Sequence, residues 1–177
     1  MLFTETALGW NARENGLALA VSGLLTALVS AFLVGRAVSA WGERRTVMVG
    51  LVFGLAEFLT LALTHSAALL YLSLVVGALG GMSQPAIQSY VSRQISDTEQ
   101  GQVQGAITSL SSLVGIAGPL LATSVFAAFT MPGAAVYFPG GVFLLGAALQ
   151  VLGLILVRRA FQKNAALSAR FSPPPSS

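Results

Sequence analysis

Polar residues fall in narrow bands along this chain, and between the bands lie five apolar stretches, 16–34, 46–64, 67–91, 103–129 and 140–157. Each is close to the roughly 20 residues that a helix needs to cross a bilayer core. None alternates apolar and polar residues with the period of two expected of a barrel strand. Within lipid, only a helix satisfies its backbone hydrogen bonds inside one segment. The pattern therefore predicts an all-α integral membrane protein with about five transmembrane helices. Residues 1–15 read as an external segment and 158–177, ending in "SPPPSS", as a disordered cytoplasmic tail.

Composition supports the pattern. Hydrophobic residues make up 55% of the chain and charged residues only 8%, against about 25% charged in an average soluble domain. A soluble globule needs a polar exterior that this chain does not have. There are no cysteines, which rules out disulfides and thiolate chemistry. The first residues lack the basic start and apolar core of a targeting peptide.

Charge adds direction. Of nine Lys and Arg residues, Arg36, Arg44, Arg45, Arg93, Arg158, Arg159, Lys163 and Arg170 fall on one side of the five spans, and only Arg13 on the other. The positive-inside rule puts the larger group in the cytoplasm, with the amino terminus outside and the carboxy terminus inside. The net charge of +3 then reports topology and gives no reason to expect a nucleic-acid partner. Trp10 and Tyr71 near one boundary and Trp41 near the other read as belt anchors.

The chemistry within the spans is sparse. Glu57 is the one ionisable residue inside an apolar stretch, on a face with Gly50, Gly54, Leu61 and Thr64. Inserting a carboxylate costs about 2.5 kcal/mol or more, so it faces protein or water. Two readings stay open for it: a proton-coupling group, or a protonated acid hydrogen-bonded to a neighbouring helix. Gln84 and Gln88 follow Gly77 and Gly81 at helical spacing beside Pro85, and serve either interhelical hydrogen bonding or a substrate path. Gly101, Gly105, Thr108, Ser112, Gly115 and Pro119 form a stripe of small residues suited to close helix packing. His65, the only histidine, lies at a span end, where it needs no chemical role. No nucleophile triad, phosphate loop or metal cluster is legible. The sequence predicts no enzyme, no metal and no cofactor.

Four segments carry a family resemblance. "GRAVSAWGERR" (35–45) looks like the cytoplasmic loop motif of the major facilitator superfamily. Together with "LFTETALGWN" (2–11), "QPAIQSYVSRQ" (84–94) and "EQGQVQGAITSLSSLVGIAGPLL" (99–121), it resembles the carboxy-terminal half of tetracycline-resistance-type drug/proton antiporters. The resemblance implies that the spans are the eighth to twelfth helices of a twelve-helix transporter in the bacterial inner membrane, with the amino-terminal half missing. It also implies alternating access around a midplane site between the halves. Gly35, Arg36, Gly42, Glu43, Arg44 and Arg45 become a cytoplasmic gating loop, with Ser39 where the motif has an acid. The family's ninth-helix aspartate and eighth-helix histidine match Gly54 and Thr26, which makes Thr26 a candidate on the substrate path and Glu57 a substitute acid one turn away.

The implied function is that of a truncated efflux transporter, inactive alone, whose complete form exchanges an amphiphilic drug for protons. Two alternatives stay open: a small membrane subunit acting with a separate amino-terminal half, and a non-transporting vestigial membrane protein.

Overall fold

The computed structural model describes residues 2–131 and 137–171. Its elements are α1 (Leu2–Leu8), α2 (Ala12–Leu28), a π-helical turn (Val29–Leu33), α3 (Val34–Trp41), α4 (Glu43–Ala62), α5 (Ala67–Gly80), α6 (Ser83–Ser92), α7 (Asp97–Thr130) and α8 (Gly141–Phe171). No strand occurs among the described residues. Five helical stretches are long and apolar enough to cross a membrane: Ala12–Trp41, Glu43–Ala62, Ala67–Ser92, Glu99–Thr130 and Gly141–Ala165. The chain is an all-α, multi-pass membrane protein, and each of the five expected spans is present.

Local chemistry sets the helix ends. Asn11 starts α2 with a capping box: its side chain accepts from the Arg13 and Glu14 amides, and the Glu14 carboxylate accepts from the Asn11 amide at 2.8 Å. This extends the helix four residues ahead of the apolar run. Gly42 joins α3 to α4 with φ 79°, a backbone state that a residue without Cβ adopts freely. The third span is interrupted at Gly81 and Met82. Pro85 lacks the amide that would bond to the Gly81 carbonyl, and its ring would crowd that carbonyl, so it sits instead in the first turn of α6.

Helix α4 is the hub, packed against α5, α6, α8 and α3, while α2 leans on α5. Between α4 and α5 the backbones touch. A Cβ on Gly80 would lie 2.9 Å from the Gly54 nitrogen and 3.0 Å from its Cα, and one on Gly50 would lie 2.7 Å from the Ser83 nitrogen. The other flank of α4 meets α8, where Gln150 Nε2 donates to the Leu51 carbonyl at 3.1 Å. A Cβ on Gly146 would come within 2.6 Å of the Phe58 ring. Lipid supplies no hydrophobic drive between helices, so such close packing provides the association energy.

Two expectations are revised. The tail expected to be disordered from 158 is helical to Phe171, because "FQKNAALSARF" consists mostly of good helix formers and has no proline. Residues 172–177 lie outside the described residues. The stripe of small residues on α7 packs on nothing described: a Cβ at Gly101, Gly105 or Gly115 would meet open space. α7 touches chiefly α8, and none of its most apolar stretch is buried.

The two kinds of glycine are separable by experiment. Gly80→Val would drive a side chain into the α4 backbone and should destabilise the detergent-solubilised chain by about 1–3 kcal/mol. Gly105→Val, on the open face of α7, should stay within about 0.5 kcal/mol of the parent. Thermal unfolding followed by circular dichroism reads both, and equal effects would contradict the glycine crossing.

Candidate functional site

Glu57 lies on α4 one turn beyond Gly54, half-buried, with its carboxyl group against Gly77 of α5. A Cβ on Gly77 would overlap that carboxyl, so the glycine forms a notch that admits the acid. The carboxyl accepts no hydrogen bond from the described residues around it, unlike Thr60 and Thr64 nearby, whose hydroxyls bond back to their own helix. Gly54 itself faces α5 and the Gln150 amide: a Cβ there would lie 2.7 Å from Nε2. An acidic side chain at position 54 would have to displace that amide from the Leu51 carbonyl.

The other span candidates lie apart from this notch. Thr26 is exposed on α2, and Gln84 and Gln88 are exposed on α6. The break at Gly81 separates the glutamines from the face of Gly77, so the single polar face expected along the third span divides in two. Gln88 lines a cleft of about 280 Å³ between α6 and the start of α7, together with Ser92, Gln100 and Gln104. Its amides suit a polar, uncharged group. His65 is exposed at the span end, with its ring Nδ1 2.9 Å from the Leu63 carbonyl.

The arginine-rich loop has partners within the chain. Arg36 Nη1 donates to the Phe32 carbonyl one turn earlier, at 3.0 Å. A Cβ on Gly35 would meet open space, and Gly42 makes the turn. Glu43, the first residue of α4, pairs with Arg93 Nε at 2.9 Å and accepts from the Ser89 hydroxyl at 2.7 Å. Arg44 donates to the Tyr90 hydroxyl at 3.2 Å, with its guanidinium 5.5 Å from the Tyr90 ring centre and 5.7 Å from that of Phe161. Tyr90 and Phe161 meet edge to face at 4.9 Å. Asn164 donates weakly to both the Tyr90 hydroxyl and Gln94. The start of α4, the end of α6 and the end of α8 are thus tied into one knot. Arg45 takes no part in it.

Sequence reasoning missed Gln150, Tyr90, Phe161 and Asn164. For Gln150 a signal existed, since it is the one polar side chain in the run 140–157, and a lone amide in an apolar span needs a partner. For the other three nothing in the local pattern marked them, because their role comes from helices distant in sequence. Among the described residues no cluster of acids and histidines suited to a metal occurs.

Residues 1–175 match the family model described as Major Facilitator Superfamily. The chain is 35% identical to the tetracycline resistance protein, class C, of Escherichia coli over 90% of its own length and 39% of the relative's. It is 36% identical to the class H protein of Pasteurella multocida, over 88% of the chain and 38% of the relative. Identity to the class B protein of Escherichia coli is 33%, with the same coverage. The chain therefore spans about two fifths of the length of the curated relatives it matches.

The Glu43–Arg93 pair can be weighed against the rest of the knot. Glu43 is 14% and Arg93 72% exposed, so solvent screens the pair and a double-mutant cycle with Glu43→Gln and Arg93→Gln should give a coupling of about 1 kcal/mol or less. Tyr90→Ala, which removes the ring contact and both hydrogen bonds, should cost more than either single change in thermal unfolding. A charge-pair coupling larger than the Tyr90 effect would reverse that ranking.

Proposed function

The chain belongs to the major facilitator superfamily, and from that premise we propose that it supplies the carboxy-terminal helices of a drug exporter of the tetracycline-resistance type. The complete transporter moves an amphiphilic drug by alternating access, in exchange for protons, with no enzymatic chemistry. The observation that carries this reading is the similarity of about nine tenths of the chain to tetracycline resistance proteins. Two structural features support it. The exposed α7 face and the exposed polar side chains Thr26, Gln84 and Gln88 suit contact with a further set of helices and with substrate. The second feature is Glu57, a carboxyl within a span whose notch leaves it without a described hydrogen-bond donor.

In this reading the chain resides in the bacterial inner membrane with its amino terminus outside. The Gly35–Arg45 loop, the Arg93 turn and the end of α8 lie in the cytoplasm. The distribution of Lys and Arg supports that orientation. The loop knot holds one side of a gate in shape, and the missing amino-terminal half supplies the surface against which it opens and closes. Glu57 takes up a proton while water reaches it from outside and releases it inward, which is what coupling requires. Gln88 and its cleft offer neutral hydrogen-bonding groups to the drug.

Topology is tested with reporter fusions after Asn15, Arg93 and Arg159. The first should report outside and the other two inside, and an external signal after Arg159 would reject the orientation.

Transport is tested by drug accumulation in cells. The chain alone should give no efflux, and co-expression with a matching seven-helix amino-terminal piece should restore some; efflux without a partner would favour a self-assembling transporter. In the reconstituted pair, Glu57→Gln keeps the shape of the side chain but cannot titrate, so proton-driven exchange should be lost while insertion and drug binding persist. Full proton-driven transport by that variant in proteoliposomes returns Glu57 to a packing role, for which only a change such as Glu57→Leu would be harmful.

A further inference from the structure

A groove at the arginine-rich end of the bundle lies beside the loop knot, and the transport reading gives it no ligand. About 600 Å³ in volume, it lies between the start of α4 and the end of α8, with Trp41 of α3 on its rim and Met48 and Phe161 among its apolar walls. Arg44, Arg45 and Arg158 line it. None of these three guanidinium groups is paired with an acid among the described residues, since the nearby Glu43 carboxylate is turned to Arg93 and Ser89. Trp41 and Val49 also line a second groove of about 380 Å³, apolar apart from Arg36, which reaches Phe53. From Arg45 to Phe53 is about 12 Å along the helix. The two grooves thus join a cationic mouth at the span ends to an apolar channel running toward the middle of the bilayer.

We propose that this composite groove is a binding site for an anionic phospholipid, its phosphate held by Arg45, Arg158 and Arg44 and an acyl chain laid along Met48, Val49 and Phe53. Charge complementarity selects the headgroup. Basic pockets between transmembrane helices attract anionic lipid in this manner, and Trp41 is half exposed at the mouth, where an indole belongs at the boundary. A free phosphate ion would use the mouth and leave the apolar channel empty. A cationic amphiphile would be repelled by the guanidinium groups.

The chain has only two tryptophans, so Trp10→Phe leaves Trp41 as the sole tryptophan to excite selectively. In phosphatidylcholine vesicles, brominated phosphatidylglycerol should quench Trp41 at a mole fraction about fivefold or more below that needed for brominated phosphatidylcholine, the scale expected of arginines near a membrane surface. Arg45→Gln with Arg158→Gln should remove most of that preference. Arg44 is left in place because it bridges Tyr90 and Phe161, and unchanged quenching by brominated phosphatidylcholine, with unchanged helicity, shows that the fold is retained. Arg159→Gln with Lys163→Gln removes the same charge outside the groove and should leave the preference intact. Three results overturn the proposal: equal quenching by the two lipids, an equal loss from the outside pair, which marks diffuse surface attraction, or no quenching by either lipid, which means that protein covers the groove.

Discussion

The contact between α4 and α5 at Gly50, Gly54 and Gly80 is the constraint on which the rest of this bundle depends. A Cβ on Gly80 would strike the Gly54 backbone, one on Gly50 the backbones of Ser83 and Gly80, and one on Gly54 the Gln150 amide of α8. In lipid that is a source of stability, because backbones in contact maximise dispersion where hydrophobic burial contributes nothing. The crossing also decides what α4 can carry on its other faces. With one side flush against α5, the opposite flank is left for α8, and the Gln150 amide completes it by bonding to a carbonyl of the hub helix.

The bundle that results is lopsided. α4 has neighbours on several sides, whereas α7, the longest helix, has almost none along its apolar length. Several of its hydroxyls bond to carbonyls of their own helix, at Ser112, Thr123, Ser124 and Thr130. The stripe itself is made of small residues, all of them exposed. A surface of small side chains facing lipid gains little, while the same surface against another helix gains close packing. The asymmetry fits a chain that spans about two fifths of the length of its curated relatives.

Much of the architecture was legible in the sequence because the signal was of the strongest kind: apolar runs of membrane-crossing length admit only helices. What the runs could not give were the ends. The capping box at Asn11 extended one helix, and the helix-forming composition beyond Arg158 extended another. Reading the third span as one face failed for a definite reason. Helical spacing assumes an unbroken helix, and Pro85 breaks it at Gly81, so Gly77 and Gln88 do different things. Glu57 stood out as a lone charge, but its notch did not, because a glycine twenty residues away is tied to it only by the crossing. The knot around Tyr90 was invisible for the same reason. The loop charges looked like topology signals, and only the fold showed that Glu43 and Arg44 bind α6 and α8 while Arg45 stays free of the knot.

Glu57 and Gly54 are best understood together. The family resemblance places an acid at the position of Gly54, and the crossing leaves no space there without displacing Gln150. One turn further along α4, the absence of a side chain at Gly77 leaves room for a carboxyl. An acid at 57 thus keeps an ionisable group on the hub helix, on the same face and within a span, while the glycine at 54 preserves the backbone contact. Had the acid been placed at 54 with no other change, the Gln150 hydrogen bond that fastens α8 would have been the first to break. The packing of the hub therefore sets where on this helix an acidic side chain can sit.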